Sequence, residues 1–145
     1  EKRLVIAGGS SDTNTFMQEL KELAKGDNRI IFTGFVQGRI LEELYSNAYV
    51  YTLPSDLEGM PLSLLEAMSY GNCCLTSDIN ECAEVVEDKA LLFKKSDVDD
   101  LREKLQFVCD HPDEVKKLKE GATDFICKKY NWDEVVEKTL EVYCK

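Results

Sequence analysis

The stretch of sequence that decides the fold occupies residues 54–71 and reads PSDLEGMPLSLLEAMSYG. An apolar run at residues 49–53 leads into it and predicts a buried strand, which Pro54 ends. A loop with two acids and a glycine follows. Pro61 suits the first turn of a helix, where a missing N–H is no loss, and Gly71 suits the C-terminus of that helix. The stretch therefore predicts a strand, a loop and a helix in succession.

The start of this helix is suited to an anion. It presents unpaired backbone N–H groups and a positive dipole end to the preceding loop, and phosphate binds well at such ends. Glu58 lies in the loop, and Glu66 lies about 8 Å along the helix axis from its start, at ~1.5 Å per residue. Both carboxylates can therefore face one mouth, while Leu62, Leu65 and Met68 hold the helix to the sheet. The alternative is that Glu58 is only an acid in a loop and Glu66 only a solvated acid on the helix surface, with no ligand between them.

The rest of the chain alternates strands with helices up to residue 93 and is helical from residue 96 onward. The predicted strands are residues 3–7, 29–33, 49–53, 72–76 and 90–93. Such alternation predicts an α/β fold, a Rossmann-like parallel sheet with helices on both faces. Ligands of such sheets bind beyond the carboxyl ends of the strands, which here means the loops 8–11, 34–38, 54–60 and 77–81.

The glycines mark the same edge of the sheet. Of the eight glycines, five lie in these loops, where glycine lets the backbone approach a ligand and permits positive φ. They are Gly8, Gly9, Gly34, Gly38 and Gly59. The alternative is that each is an ordinary turn glycine after a strand.

Composition limits the class of protein. A chain of 145 residues predicts a single domain, residues 1–145. The net charge of −10 argues against nucleic acid or an anionic membrane as a partner. No apolar run approaches the length of a membrane span. The six cysteines include no C-x-x-C pair, so reduced thiols in an intracellular, cytoplasmic protein are expected. The chain opens on Glu1 directly into a strand, so we expect it to be a fragment.

At residues 54–71 the sequence resembles the donor-binding half of retaining, nucleotide-sugar-dependent glycosyltransferases of the GT-B fold, the large group 1 family. The shared motif is Glu-x7-Glu, here Glu58 and Glu66 in EGMPLSLLEAMSYG. The resemblance covers nearly the whole chain. It includes LVIAGG at residues 4–9, FTGFV at 32–36, YTLPS at 51–55 and SDINE at 77–81.

The resemblance implies one half of a GT-B architecture, without its first strand and helix. The activity implied is transfer of a hexosyl unit from a nucleoside diphosphate sugar to an acceptor held by an absent N-terminal domain, with no cofactor and no metal. The chain alone is then expected to be inactive. That domain could also attach the protein peripherally to a membrane. The terminal helix, residues 132–143, is expected to expose an apolar face and to favour self-association.

The resemblance also assigns roles to residues. Glu58 is the catalytic residue, beside the sugar and its developing positive charge, and Glu66 accepts the ribose hydroxyls. Phe35 and Val36 line a base slot, although Phe35 could instead be plain core. The remaining residues predicted to contact the nucleotide-sugar donor lie around its diphosphate: Gly9, Ser10, Gly59, Met60, Leu62 and Ser63.

The sequence departs from the family in two respects. Pro61 replaces a glycine and removes one N–H donor, and the family's Arg-x4-Lys diphosphate clamp does not precede the first strand. A non-catalytic sugar-nucleotide-binding or interaction module is therefore an alternative function. Asp97 and Asp99 match a metal-binding Asp-x-Asp but lie at a helix start, where acids are expected. A hydrolase would need His111, which lies in an interhelical turn without a G-x-S-x-G motif.

Overall fold

The computed structural model describes residues 2–9 and 14–144. It divides into two compact units, residues 1–43 and 44–145. The elements that begin in the first unit are β1 (Leu4–Ala7), α1 (Asn14–Leu23), β2 (Ile30–Gly34) and α2 (Arg39–Asn47). Asp12 and Thr13, either of which suits the N-cap of α1, lie outside the described residues.

The first unit is built on a parallel strand pair. Leu4 pairs with Ile30, and the register shifts between Ile6 and Ala7. The Gly8 N–H donates to the Gly34 carbonyl at 2.9 Å. The loops that follow the two strands therefore lie side by side, as expected for the carboxyl ends of parallel neighbours.

The second unit contains a three-stranded parallel ladder in the order β3-β4-β5. Its elements are β3 (Tyr51–Leu53), α3 (Leu62–Ser69), β4 (Cys74–Ser77), α4 (Asn80–Val86), β5 (Leu91–Phe93), α5 (Val98–Asp110), α6 (Pro112–Lys119), α7 (Ala122–Lys129) and α8 (Trp132–Tyr143). All four residues of the central strand β4 are buried. The α/β class and the parallel pairing are therefore confirmed.

The core of this unit is anchored by α3. Leu64, Ala67 and Met68 are fully buried and stand at the i, i+3, i+4 spacing of one helix face. Leu62, by contrast, is 55% exposed. The expectation that Leu62 helps to hold the helix to the sheet is therefore wrong, because its position lies off the buried stripe.

The C-terminus of α3 turns sharply at Gly71, as predicted. Gly71 has φ +73° and donates to the Met68 carbonyl, while the Asn72 N–H donates to the Ala67 carbonyl. This is the Schellman pattern. The Asn72 side chain also donates to the carbonyls of Tyr45 and Ala67, at 2.9 and 3.0 Å. Asn72 therefore fixes the turn after α3, and β4 begins at Cys74, two residues later than the sequence pattern predicts.

The last helix packs least. None of the described residues of α8 is buried, and Trp132 and Tyr143 are 74% and 84% exposed. The expected exposed apolar face is thus confirmed, whereas self-association stays a prediction. In the described part of the chain, no helix is long and apolar enough to cross a membrane.

Candidate functional site

The loop between β3 and α3 is held at its start by buried hydroxyls of β4. Thr76 and Ser77 are almost fully buried. The Thr76 Oγ1 donates to the Leu53 carbonyl at 3.1 Å, and the Ser77 Oγ donates to the Ser55 carbonyl. Because two polar side chains of the central strand bind this backbone, the loop leaves the sheet edge at a fixed point.

Glu58 is held within this loop. The Ser55 Oγ donates to Glu58 Oε1 at 2.7 Å, and the residue is half-buried. Farther along the chain, the Ser96 Oγ donates to Asp56 Oδ1 at 2.9 Å, which ties the loop to the turn after β5. The carboxylate that the sequence assigns to catalysis therefore sits on a braced loop.

Pro61 lies one position earlier relative to the helix than expected. It is the N-cap of α3, with φ −76° and ψ 73°, the angles of an inverse γ-turn. Accordingly, the Leu62 N–H donates back to the Met60 carbonyl at 2.8 Å. The Leu62 N–H, which was predicted to donate to phosphate, is thus occupied within the turn. It would meet a phosphate only if this turn opened.

Three other N–H groups remain at the helix start. Those of Gly59, Met60 and Ser63 have no acceptor in the described part of the chain. Gly59 and Met60 are also exposed. Of the N–H donors predicted from the sequence, those of Met60 and Ser63 are therefore available at the positive end of the α3 dipole, and Gly59 adds a third.

Glu66 has a partner that the sequence pattern did not indicate. The Tyr45 hydroxyl, on α2, donates to Glu66 Oε2 at 3.0 Å. The Tyr51 hydroxyl, on β3, donates to Ser63 Oγ at 2.8 Å. Burial raises the pKa of Tyr45 above its usual range, with nearby Tyr51 and the Glu66 hydrogen bond adding to the effect. Both phenols therefore stay protonated at neutral pH and act as donors.

Both motif carboxylates affect the ionisation of Tyr51. Burial raises the pKa of Tyr51 to about 12, the hydrogen bond with Ser63 opposes this, and Glu58 and Glu66 add to the rise. Both acids make the charged form of this phenol less favourable. That Glu58 and Glu66 face the mouth of one site stays a prediction.

Cys82 lies in the same region and is fully buried. Burial raises the pKa of its thiol, and the nearby Glu58 carboxylate contributes in the same direction. A thiol with a raised pKa is a poor nucleophile. Cys82 therefore belongs to the packing beneath the loop.

The other predicted contacts lie in the first unit. An added Cβ on Gly9 would lie 3.8 Å from the Phe35 Cβ, so the two residues are neighbours at the ends of β1 and β2. Phe35 is 76% exposed and is not plain core, whereas Val36 is half-buried. The predicted contact Ser10 lies outside the described residues. An exposed aromatic ring beside a glycine loop is compatible with the expected base slot.

The turn after β5 adds two cations that the sequence analysis did not consider. Lys94 and Lys95 are exposed, and the Lys95 N–H donates to Asp78 Oδ1 at 2.8 Å. Because β3, β4 and β5 are parallel, this turn lies at the same edge as the loops 54–60 and 77–81. The sequence could have indicated these two lysines, because residues 94–97 follow a predicted strand in the same way as the other loops at this edge.

The alternative chemistries find no support at their expected residues. Asp97 is the N-cap of α5, and its side chain accepts the Asp100 N–H at 2.9 Å. The His111 ring lies 4.3 Å from Phe107 between centroids and its Nδ1 is 2.9 Å from the Phe107 carbonyl. Among the residues that the structure describes, no three His, Cys, Asp or Glu side chains are grouped to hold a metal.

Comparison with solved structures gives the class of fold. Anabaena HepE, solved in complex with UDP and glucose, superposes with a TM-score of 0.88 at 15% identity, over 98% of this chain and 40% of that chain. The C-terminal domain of a glycosyl transferase group 1 family protein, LpcC from Francisella tularensis, superposes with a TM-score of 0.78 at 22% identity, over 88% of this chain and 69% of that chain. The fold is therefore a Rossmann-like domain of the GT-B type.

Sequence comparison then gives the family. The family described as glycosyl transferases group 1 matches residues 1–125, so the chain belongs to this family. A relative from Methanocaldococcus jannaschii, the uncharacterized glycosyltransferase MJ1607, is 27% identical over 143 residues, which is 97% of this chain and 36% of the relative. The chain thus spans about a third of the length of this relative.

Proposed function

We propose that this chain is the donor-binding half of a retaining glycosyltransferase, which moves a hexosyl unit from a nucleoside diphosphate sugar to an acceptor held by an N-terminal domain. The observation that carries the proposal is the arrangement at the start of α3. Glu58, Glu66 and the free N–H groups of Met60 and Ser63 belong to one braced loop and helix start. Membership of the glycosyl transferases group 1 family supports the reaction class.

Each group has a chemical task in this proposal. An ionised carboxylate offers only acceptor oxygens, so Glu66 suits the vicinal hydroxyls of a ribose. The N–H groups at the helix start suit the diphosphate, which gains negative charge as the bond to the sugar breaks. Glu58 suits the sugar ring, which gains positive charge in the same step. Fixed dipoles and charges at both ends of the breaking bond lower its barrier without a metal ion.

A nucleoside diphosphate sugar is supported as the donor by a structural neighbour. Anabaena HepE was solved with UDP and glucose. Phe35, exposed at the end of β2, would stack on the base, with Val36 reading its edge through backbone atoms. Gly9 and Ser10, in the sequence that follows β1, are further proposed contacts of the donor.

Titration of the chain with UDP-glucose and GDP-mannose, followed by amide NMR, tests the proposal. Shifts should concentrate in residues 8–11, 34–38 and 54–63. The dissociation constant for the chain alone is expected near 1 mM, about −4 kcal/mol, because no lysine or arginine stands between Arg39 and Lys89 to neutralise the diphosphate. Shifts confined to other loops, or no saturable binding by the full-length protein, would contradict the proposal.

A non-catalytic module that binds the same donor is the second candidate. Its supporting observation is that residues 54–66 of the second unit contain three acids and neither an arginine nor a lysine. Release of UDP or GDP from the donor by the full-length protein, measured with an acceptor extract, separates the two functions. Binding without any turnover would favour the module.

A further inference from the structure

We infer that Tyr45 is a positioning residue that fixes the Glu66 carboxylate for the two hydroxyls of a ribose, so that the site selects ribonucleotides over deoxyribonucleotides. The inference rests on the function proposed above and deepens it. Neither the Glu-x7-Glu motif nor its spacing points to Tyr45, which stands 21 residues before Glu66 on a different helix.

The hydroxyl of Tyr45 has one proton and two acceptors within reach. Glu66 Oε2 lies at 3.0 Å and the Ser63 carbonyl oxygen at 3.4 Å. A charged acceptor at the shorter distance gives the stronger hydrogen bond. The proton therefore goes to Glu66, and the carboxylate is bound by a phenol that is 8% exposed.

Tyr45 is itself held on three sides. Its ring stacks on Tyr70 with centroids 5.4 Å apart, and it lies 5.8 Å from the ring of Tyr51. Its backbone carbonyl accepts from the buried Asn72 side chain at 2.9 Å. Because Asn72 also binds the Ala67 carbonyl of α3, the phenol and the helix that bears Glu66 are fixed to the same side chain.

The hydrogen bond from Tyr45 restricts the exposed side chain of Glu66. Glu66 is exposed, and a free glutamate samples many rotamers that a ligand must restrict at an entropic cost. The bond from Tyr45 restricts them before the ligand arrives. It also occupies one acceptor position of Oε2. Among the described residues no donor meets Oε1, so the carboxylate keeps acceptor positions for the two hydroxyls of a ribose. Preorganisation of this kind raises affinity by removing a cost of binding.

The test compares nucleotides that differ only in the ribose. Dissociation constants of UDP, 2′-deoxy-UDP and 3′-deoxy-UDP, with the guanosine series in parallel, are measured by calorimetry for the full-length protein and its Tyr45→Phe variant. We expect Tyr45→Phe to weaken UDP binding about fivefold and to leave the deoxynucleotides nearly unchanged, so that discrimination falls by the same factor. In a Glu66→Ala background, Tyr45→Phe should have no further effect.

Tyr49→Phe is the matched control. The Tyr49 hydroxyl donates to the Val108 carbonyl of α5 at 2.8 Å, so this variant also loses a hydroxyl hydrogen bond, but not one to Glu66. It should keep the wild-type discrimination between UDP and the deoxynucleotides.

The outcomes separate the inference from the proposed function. Equal weakening of UDP and deoxynucleotides by Tyr45→Phe, or an undiminished effect of Tyr45→Phe in the Glu66→Ala background, would overturn the inference and leave the donor site intact. Wild-type protein that binds neither nucleoside diphosphate would overturn the proposed function, and the inference with it.

Discussion

Replacement of Glu66 by alanine should weaken donor binding far more than it destabilises the fold. The side chain is exposed, while the residues that anchor α3, namely Leu64, Ala67 and Met68, are fully buried and untouched. The variant therefore separates a binding role from a structural one.

The structural cost can be worked from the contacts. Glu66→Ala removes the acceptor of the Tyr45 hydroxyl at 3.0 Å, but the Ser63 carbonyl remains at 3.4 Å as a second acceptor. The loss should not exceed about 1 kcal/mol, and alanine returns a few tenths of it through its higher helix propensity. A change of this size moves the melting temperature by roughly 3 °C in a domain of this length.

The expected binding cost is larger. A hydrogen bond between a hydroxyl and an ionised carboxylate contributes about 1.5–3 kcal/mol, which corresponds to roughly 10- to 150-fold in the dissociation constant. The assay is thermal unfolding together with calorimetric titration of UDP on the full-length protein. Glu103→Ala is the control, because Glu103 is an exposed glutamate within α5. A large fall in melting temperature with unchanged UDP affinity would refute the reasoning and make Glu66 structural.

Four further predictions concern Glu58, Tyr51, the terminal helix and the chain on its own. Glu58→Gln should lower turnover of the full-length protein by more than about tenfold and change donor affinity by less than about twofold, since charge develops only in the transition state. Steady-state kinetics gives the turnover and calorimetry gives the affinity; an unchanged turnover would contradict this prediction. The free energy of unfolding should fall as pH rises above about 10, because burial raises the pKa of Tyr51 to about 12 while the unfolded phenol ionises near pH 10. Urea titrations at pH 8 and 11 measure this fall, which should be smaller in the Tyr51→Phe variant than in the wild type. Removal of residues 131–145 should reduce self-association in light scattering, and a strictly monomeric intact chain at high concentration would contradict it. The chain alone should show no glycosyl transfer to any acceptor in a donor-turnover assay, because proximity of donor and acceptor supplies many orders of magnitude in rate.

The class of fold could be predicted from the sequence because its signals are local. Strand and helix periods, Pro54 at the end of a strand and Gly71 after a helix depend only on neighbouring residues. For the same reason Asp97 was predictable as an acid at a helix start, and its side chain accepts the Asp100 N–H at 2.9 Å. The Glu-x7-Glu spacing likewise marked Glu58 and Glu66, although their roles remain a proposal.

The start of α3 shows where local reasoning stops. The sequence predicted free N–H groups there, but the γ-turn at Pro61 consumes that of Leu62. The buried stripe also falls on Leu64 rather than Leu62. A pattern of apolar residues gives the period of a helix, whereas the exact face toward the sheet depends on how the helix packs.

The sequence by itself determined the order of the elements, the loops that follow the carboxyl ends of the strands, and the two acids of the motif. Only the tertiary structure decided the contacts around them: Tyr45 donates to Glu66, Ser96 holds the loop of Glu58 through Asp56, and the Lys95 N–H donates to Asp78 in the neighbouring loop. Each of these contacts joins residues 17 to 40 positions apart. Such contacts follow from the packing of whole elements, because the direction of a side chain in space depends on the helix or strand that bears it and not on its sequence neighbours.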